Sequence, residues 1–209
     1  MAETSAPSSP IAGLILAGGQ GRRMGGDKAL RLLGGTPLVG HAIARATPQV
    51  GPLAISANGS APFADFGLPI LADSVPGFVG PLAGILAGMD WAAEQGLTSI
   101  ASFPCDAPLF PRDLVARLAE ARRREGAVLA CARSGGRRHP VFALWPTEMR
   151  AALRVALTDD GIRRVADWCA RYPVAMVDFP TAPFDPFFNV NTPSDLAEAE
   201  TLLAAHRSA

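Results

Sequence analysis

Apolar residues in this chain come in short runs separated by longer segments with helical spacing. The first run, residues 11–17, is bounded by Pro10 and the Gly18-Gly19 pair; it is too short for a stable helix and suits a strand buried on both faces. Residues 37–46 and 82–95 have helical composition, the first with proline at its start and the second closed by Gly96. Between them, 53–57 and 68–72 read as strands. Residues 98–103 form the next apolar run. An amphipathic helix over 111–125 follows, with Leu114, Val115 and Leu118 on one side and Arg122, Arg123 and Arg124 at its carboxyl end. Residues 127–132 and 141–145 flank the turn-like Ser134-Gly135-Gly136, predicting a hairpin and hence mixed strand directions. Helices over 149–157 and 161–171, a strand over 174–179 and a closing helix over 193–206 complete the pattern, with Thr192 as N-cap ahead of Pro193. Such alternation predicts an α/β fold, a mostly parallel sheet covered by helices with ligands beyond the carboxyl ends of its strands.

Composition narrows the class. The 209 residues suffice for one domain with a substantial core, and residues 1–10 read as a disordered polar tail before a single domain over 11–209. Nineteen Lys and Arg balance nineteen Asp and Glu, so no diffuse field would hold nucleic acid or an anionic membrane. No apolar stretch reaches the roughly 18 residues of a membrane span. The first ten residues carry Glu3 and no cationic side chain, unlike a secretory signal, so a cytoplasmic location is expected. Cys105, Cys131 and Cys169 are odd in number and lack C-x-x-C spacing; they read as reduced, with Cys131 and Cys169 in the core.

Candidate chemistry concentrates in three segments. In LILAGGQGRRMGGDKAL, residues 14–30, a strand opens into glycines interleaved with Arg22, Arg23 and Lys28, a combination of backbone N–H groups and cations that suits a polyphosphate. It is not a Walker A loop, because Asp27 precedes Lys28 and Ala29 offers no hydroxyl; nor is it a dinucleotide fingerprint, since Met24 stands at the third glycine position. A plain surface connection is the other reading. In SFPCDAP, Asp106 follows an apolar run, where a carboxylate faces the expected crevice and could hold a magnesium ion, or could simply organise a turn. In FFNVNTPSDL, Asn189 and Asn191 point to one side if the segment is extended; they suit a polar ring or a metal, or ordinary turn chemistry before a helix. Asn58 and Asp73 each follow a predicted strand, and Arg137, Arg138 and His139 form a local basic cluster. His41, His139 and His206 lack metal-ligand spacing, and His41 and His206 are read as decorating helices.

Together, LAGGQGRRMGGDK, GPLAG, PCDAP and NVNTPSDL, in this order over residues 11–196, resemble the molybdenum cofactor guanylyltransferases; the opening loop and the Asp106 segment are shared with a wider nucleotidyltransferase superfamily. The resemblance implies a three-layer α/β/α Rossmann-like fold of the glycosyltransferase-A type with a mostly parallel mixed sheet. It implies that GTP reacts with the phosphate of molybdenum-molybdopterin in the presence of Mg²⁺, releasing pyrophosphate. By position, Leu16, Ala17, Gly18 and Gly19 match the family's nucleotide-binding start, and Arg23 and Lys28 its catalytic phosphate loop, here with a compact Gly26-Asp27-Lys28 spacing. Asn58 and Asp73 match nucleoside contacts, and Asp106 the magnesium ligand beside GTP. Arg137, Arg138 and His139 fall in a basic stretch leading into an H-P motif, and with Asn189 and Asn191 they are assigned to the pterin. A monomer is expected, with transient contacts to other cofactor-biosynthesis proteins and neither nucleic acid nor membrane as a partner. A cytidylyltransferase acting on the same pterin and a sugar-1-phosphate nucleotidyltransferase are the neighbouring activities, and LAGG with NVNTP favours guanine within the resemblance. A non-catalytic GTP-binding regulatory module would have no use for Arg23, Lys28 and Asp106 together.

Overall fold

The computed structural model describes residues 10–18, 28–59, 61–75, 77 and 80–207, with side chains through residue 204. In chain order the elements are Ala12–Leu16 (β1), Leu32–Leu33 (β2), Thr36–Pro37 (β3), Leu38–Ala46 (α1), Leu53–Ser56 (β4), Ile70–Leu71 (β5) and Pro81–Glu94 (α2). Ser99–Pro104 (β6), Leu114–Glu125 (α3), Leu129–Ser134 (β7) and Arg137–Pro146 (β8) follow, then Arg150–Thr158 (α4), Val165–Cys169 (α5), Val174–Phe179 (β9) and Pro193–Arg207 (α6).

Seven strands form one sheet in the order β5-β4-β1-β6-β8-β7-β9. β8 runs antiparallel to β6 and β7, while the other pairs are parallel. From β1 the chain steps outward through β4 to β5 and then returns to the far side of β1 as β6. The strand order therefore reverses between β1 and β6, and a crevice opens beyond their carboxyl ends.

Side chains alternate along the buried strands and feed two cores. Ile15 and Phe103 pack with Val39 and Ala42 of α1 and Leu114 and Leu118 of α3. Leu14 and Ile100 pack with Ile85 and Met89 of α2, Leu153 of α4 and Trp168 of α5. The result is three layers, helices on both faces of the sheet. α2 lies flush on the sheet because it presents glycines there. A Cβ at Gly88 would stand 2.6 Å from Leu14 Cδ2 and 3.2 Å from Ile100 Cδ1, and one at Gly84 would overlap Ser56 Oγ.

Several predicted elements are shorter than their apolar patterns. The strand predicted over 68–72 contracts to Ile70–Leu71, since Pro69 has no N–H to donate and pairs only through its carbonyl, which accepts from Ile55 at 2.9 Å. The helix predicted over 161–171 contracts to Val165–Cys169, with Gly161 at φ +67° ahead of it. The helix predicted from residue 37 starts at Leu38, because Pro37 is extended and belongs to β3. In the hairpin, the first strand is shifted two residues on, to Leu129–Ser134, the second is longer than predicted, and Gly135 and Gly136 turn between them at φ +52° and +77°. A second hairpin, β2 to β3 through Gly34 and Gly35, had no apolar run long enough to reveal it. All three cysteines are free and buried, and among the described residues no helix is long and apolar enough to cross a membrane.

Candidate functional site

β1 ends at the crevice. Its Leu16 carbonyl accepts from the Cys105 N–H at 3.2 Å and the Ala17 N–H donates to the Ser56 carbonyl at 3.0 Å, so Gly18 leaves the sheet between the ends of β4 and β6. Gly19 and Arg23 lie outside the described residues. The chain returns in a single 3-10 turn, Lys28–Leu30, whose first residue reaches across the crevice. Lys28 Nζ donates to Asp106 Oδ2 at 2.8 Å and to Asn191 Oδ1 at 2.6 Å. These bonds join residues 78 and 163 positions from Lys28. The Lys28 and Asp106 side chains keep 12% and 30% of their surface exposed, so a ligand can reach both.

Local structure fixes the two oxygens on Lys28. The Asp106 carbonyl accepts the Val190 N–H at 2.7 Å, tying the end of β6 to the segment before α6. Asp195 Oδ2 accepts the N–H groups of Asn191 (2.7 Å) and Thr192 (2.9 Å), and Thr192 Oγ1 accepts the Asp195 N–H at 3.2 Å. This is a capping box, with Thr192 as the N-cap that its place before Pro193 predicts. The bond from the Asn191 N–H, above all, holds the Asp195 carboxyl below its usual range. Asp195 was not singled out from sequence, although Thr-x-x-Asp ahead of a helix was the signal that could have found it.

Beside Lys28 a cleft of about 200 Å³ is lined by Gly18, Leu30, Asn58, Pro62 and Phe63 among others. Asn58 and Asp73, at the ends of β4 and β5, bond reciprocally: Asn58 Nδ2 donates to Asp73 Oδ2 at 2.8 Å and the Asp73 N–H donates to Asn58 Oδ1 at 2.9 Å. One end of the cleft thus offers an ammonium, and the other a polar pair beside an apolar wall. Pro62 and Phe63, in the 3-10 segment Ala61–Phe66, were invisible to pattern reading because a turn of this kind carries no periodicity.

Because β8 is antiparallel to β6, its first residues lie at the sheet edge that also carries Asp106. Arg137 and Arg138 are exposed there, whereas His139 is 7% exposed. Its Nε2 lies 2.8 Å from Ser134 Oγ and its ring stacks on Phe187 at 4.6 Å. Burial pushes the imidazole pKa down, with Asp185 opposing and Arg137 reinforcing the shift. Asn189 is half-buried before Val190, which is fully buried. His41 does more than decorate its helix: its Nε2 lies 2.8 Å from the Leu33 carbonyl, pinning the β2–β3 hairpin to α1.

The donor set can be tested against a metal. Among the described residues no three His, Cys, Asp or Glu cluster as a self-contained metal centre. The Asp106 carboxylate and the Asn191 amide oxygen do converge on one cationic nitrogen. A single carboxylate and a neutral oxygen fit Mg²⁺, which takes few protein ligands when substrate phosphates and water complete its shell.

Residues 13–174 match the model of the MobA-like NTP transferase domain. The chain is 52% identical to a molybdenum cofactor guanylyltransferase of Bradyrhizobium sp. (strain ORS 278), over 96% of this chain and 97% of that protein. It is 56% identical to a molybdenum cofactor guanylyltransferase of Rhodopseudomonas palustris (strain HaA2), over 94% and 93%. The fold is similar to the crystal structure of molybdopterin-guanine dinucleotide biosynthesis protein A from Archaeoglobus fulgidus, with a TM-score of 0.73 at 23% identity, covering 93% of this chain and 100% of that one.

Proposed function

The chain belongs to the MobA-like NTP transferase family, and from that premise we propose that it transfers GMP from GTP to the phosphate of molybdenum-molybdopterin, releasing pyrophosphate and forming the guanine dinucleotide form of the cofactor. The observation that carries the reading is Lys28, bonded to both Asp106 and Asn191 at the mouth of the cleft lined by Gly18 and Asn58. GTP takes that cleft, its nucleoside against Asn58 and Asp73 and its phosphates toward Leu16, Ala17, Gly18 and Lys28. Gly19 and Arg23 belong to the same phosphate loop by family position. Asn189, Asn191, Arg137 and Arg138 are assigned to the pterin side, whereas His139, buried against Phe187 and bonded to Ser134, faces away from it.

In the reaction, an oxygen of the pterin phosphate attacks the α-phosphorus of GTP while the bond from that phosphorus to the β-bridging oxygen breaks. The electron pair of that bond leaves on pyrophosphate. A phosphate monoester has a second pKa of about 6, so the nucleophile is already mostly dianionic at neutral pH and no side chain must remove a proton. The chain's task is to bring anions together and offset the charge that develops on them. Lys28 does so by supplying a positive charge at the mouth of the cleft. Asp106 and Asn191 would hold Mg²⁺, which neutralises phosphate charge when bound. Transfer is direct, with no covalent enzyme intermediate. The protein works as a cytoplasmic monomer in transient contact with the proteins that supply molybdopterin and accept the product.

The test is pyrophosphate release by purified protein with Mg²⁺ and molybdopterin, comparing GTP with CTP, ATP and UTP and including sugar-1-phosphate acceptors. Release that requires GTP and pterin together is expected. A preference for CTP, or release only with a sugar phosphate, would overturn the assignment.

A further inference from the structure

The buried polar group at the β7–β8 turn has no part in the chemistry above. Ser134 is 1% exposed and His139 7%. Ser134 Oγ donates to Asp185 Oδ1 at 2.8 Å, which uses its only proton. At the 2.8 Å contact with His139 the imidazole Nε2–H must therefore be the donor. Asp185 Oδ1 also accepts the Phe187 N–H at 3.0 Å. Phe187 is fully buried, stacked on His139 and packed against Phe142 and Phe179 at 4.8 and 5.4 Å. Ser, His and Asp are here not a nucleophilic triad. The carboxylate bonds the serine instead of the far imidazole nitrogen, and the serine hydroxyl is buried with its proton committed.

We propose that Ser134, His139 and Asp185 form a positioning clamp that sets residues 187–191 and through them holds Asn191 Oδ1 against Lys28. Three residues beyond Phe187 the Val190 N–H donates to the Asp106 carbonyl, and the next residue bonds Lys28. The segment is thus tied at one end to the hairpin and at the other to the crevice, with the Phe187 ring as its anchor. The clamp reaches the site through the segment and touches no reacting group, so its three members are positioning residues. Its bearing on catalysis rests on the transferase reading; its bearing on the segment does not.

The test is amide hydrogen exchange on the full protein without ligands, combined with steady-state kinetics, for Ser134→Ala and Asp185→Asn. Ser134→Ala leaves the buried imidazole N–H without an acceptor and should speed exchange at Val190 by roughly tenfold or more while the amides of β1 keep their protection. Asp185→Asn retains the Oδ1 acceptor and should exchange like the parent. In kinetics, Ser134→Ala should lower kcat by roughly tenfold to a hundredfold with KM for GTP within about twofold. Unchanged exchange at Val190 in Ser134→Ala, or faster exchange spread equally over β1 and β6, would overturn the clamp. Failure of the parent protein to transfer GMP would overturn the transferase reading and leave the exchange result standing.

Discussion

Replacing Lys28 by Met separates the energetics of the site from those of the fold. The substitution keeps most of the unbranched stem, one atom shorter, and deletes its ammonium, removing the bonds to Asp106 at 2.8 Å and Asn191 at 2.6 Å. Hydrogen bonds to charged groups contribute about 1.5–3 kcal/mol each where water is excluded. Asp106 keeps 30% of its side-chain surface exposed, so water takes over much of what the ammonium provided, and the net cost to the folded state should be only about 1 kcal/mol. For a chain of this size that corresponds to a fall in Tm of roughly 2–4 °C. With triphosphate in place the same ammonium faces charge that water no longer screens, and its loss should cost about 3–4 kcal/mol of transition-state stabilisation, a rate loss of roughly two to three orders of magnitude. Lys28→Arg retains the charge in a planar fork that does not reproduce the two contacts, and should recover only part of the rate. The assays are kcat/KM from pyrophosphate release and Tm from calorimetry. A Lys28→Met protein within fivefold of the parent rate, or one whose activity falls only in step with a Tm lowered by more than about 8 °C, would refute the reasoning.

Three further outcomes are expected. Gly88→Ala gains about 1 kcal/mol of helix propensity but drives a Cβ to 2.6 Å from Leu14 Cδ2, so overpacking of about 1–3 kcal/mol should win and lower the urea midpoint; a raised midpoint would mean that α2 can lift off β1 freely. Asp195→Ala should remove about 1 kcal/mol by breaking the capping box. Since the folded state depresses the Asp195 pKa, that stabilisation is present above the ordinary carboxylate range and lost as pH falls through the folded value; the stability gap between parent and variant should close on acidification, and a gap independent of pH would contradict this. Burial pushes the thiols of Cys105 and Cys131 up to about 12 and that of Cys169 to about 11, so none should react with a thiol reagent at neutral pH until denaturant is added; rapid labelling of any one in the native protein would place it at the surface.

What could be read from the chain was local. The apolar run before Gly18, Asp106 at the end of another run, and Thr192 ahead of Pro193 each announce themselves within a few residues, and each stands at an element end in the structure. The parallel sheet followed from the alternation, and the antiparallel β8 from the Gly135-Gly136 turn. Other features depend on register and could not be read. Nothing near Lys28 indicates that its partners lie at Asp106 and Asn191, and nothing near Ser134 points to an acceptor 51 residues away. Gly84 and Gly88 look like ordinary small residues in a helix until the sheet beneath them is known. His139 carried the look of a basic-cluster member, yet Phe187, from a segment 48 residues on, stacks on its ring and buries it while Arg137 and Arg138 stay exposed.

The most direct measurement is to follow GTP labelled in its α-phosphate through a single turnover with molybdopterin and Mg²⁺, separating protein, nucleotide and pterin products. The account predicts that the label moves into a guanine–pterin dinucleotide, one equivalent of pyrophosphate appearing for each label transferred, with no label on the protein. Label retained on the protein, or pyrophosphate released without a labelled pterin product, would contradict direct transfer to the pterin phosphate.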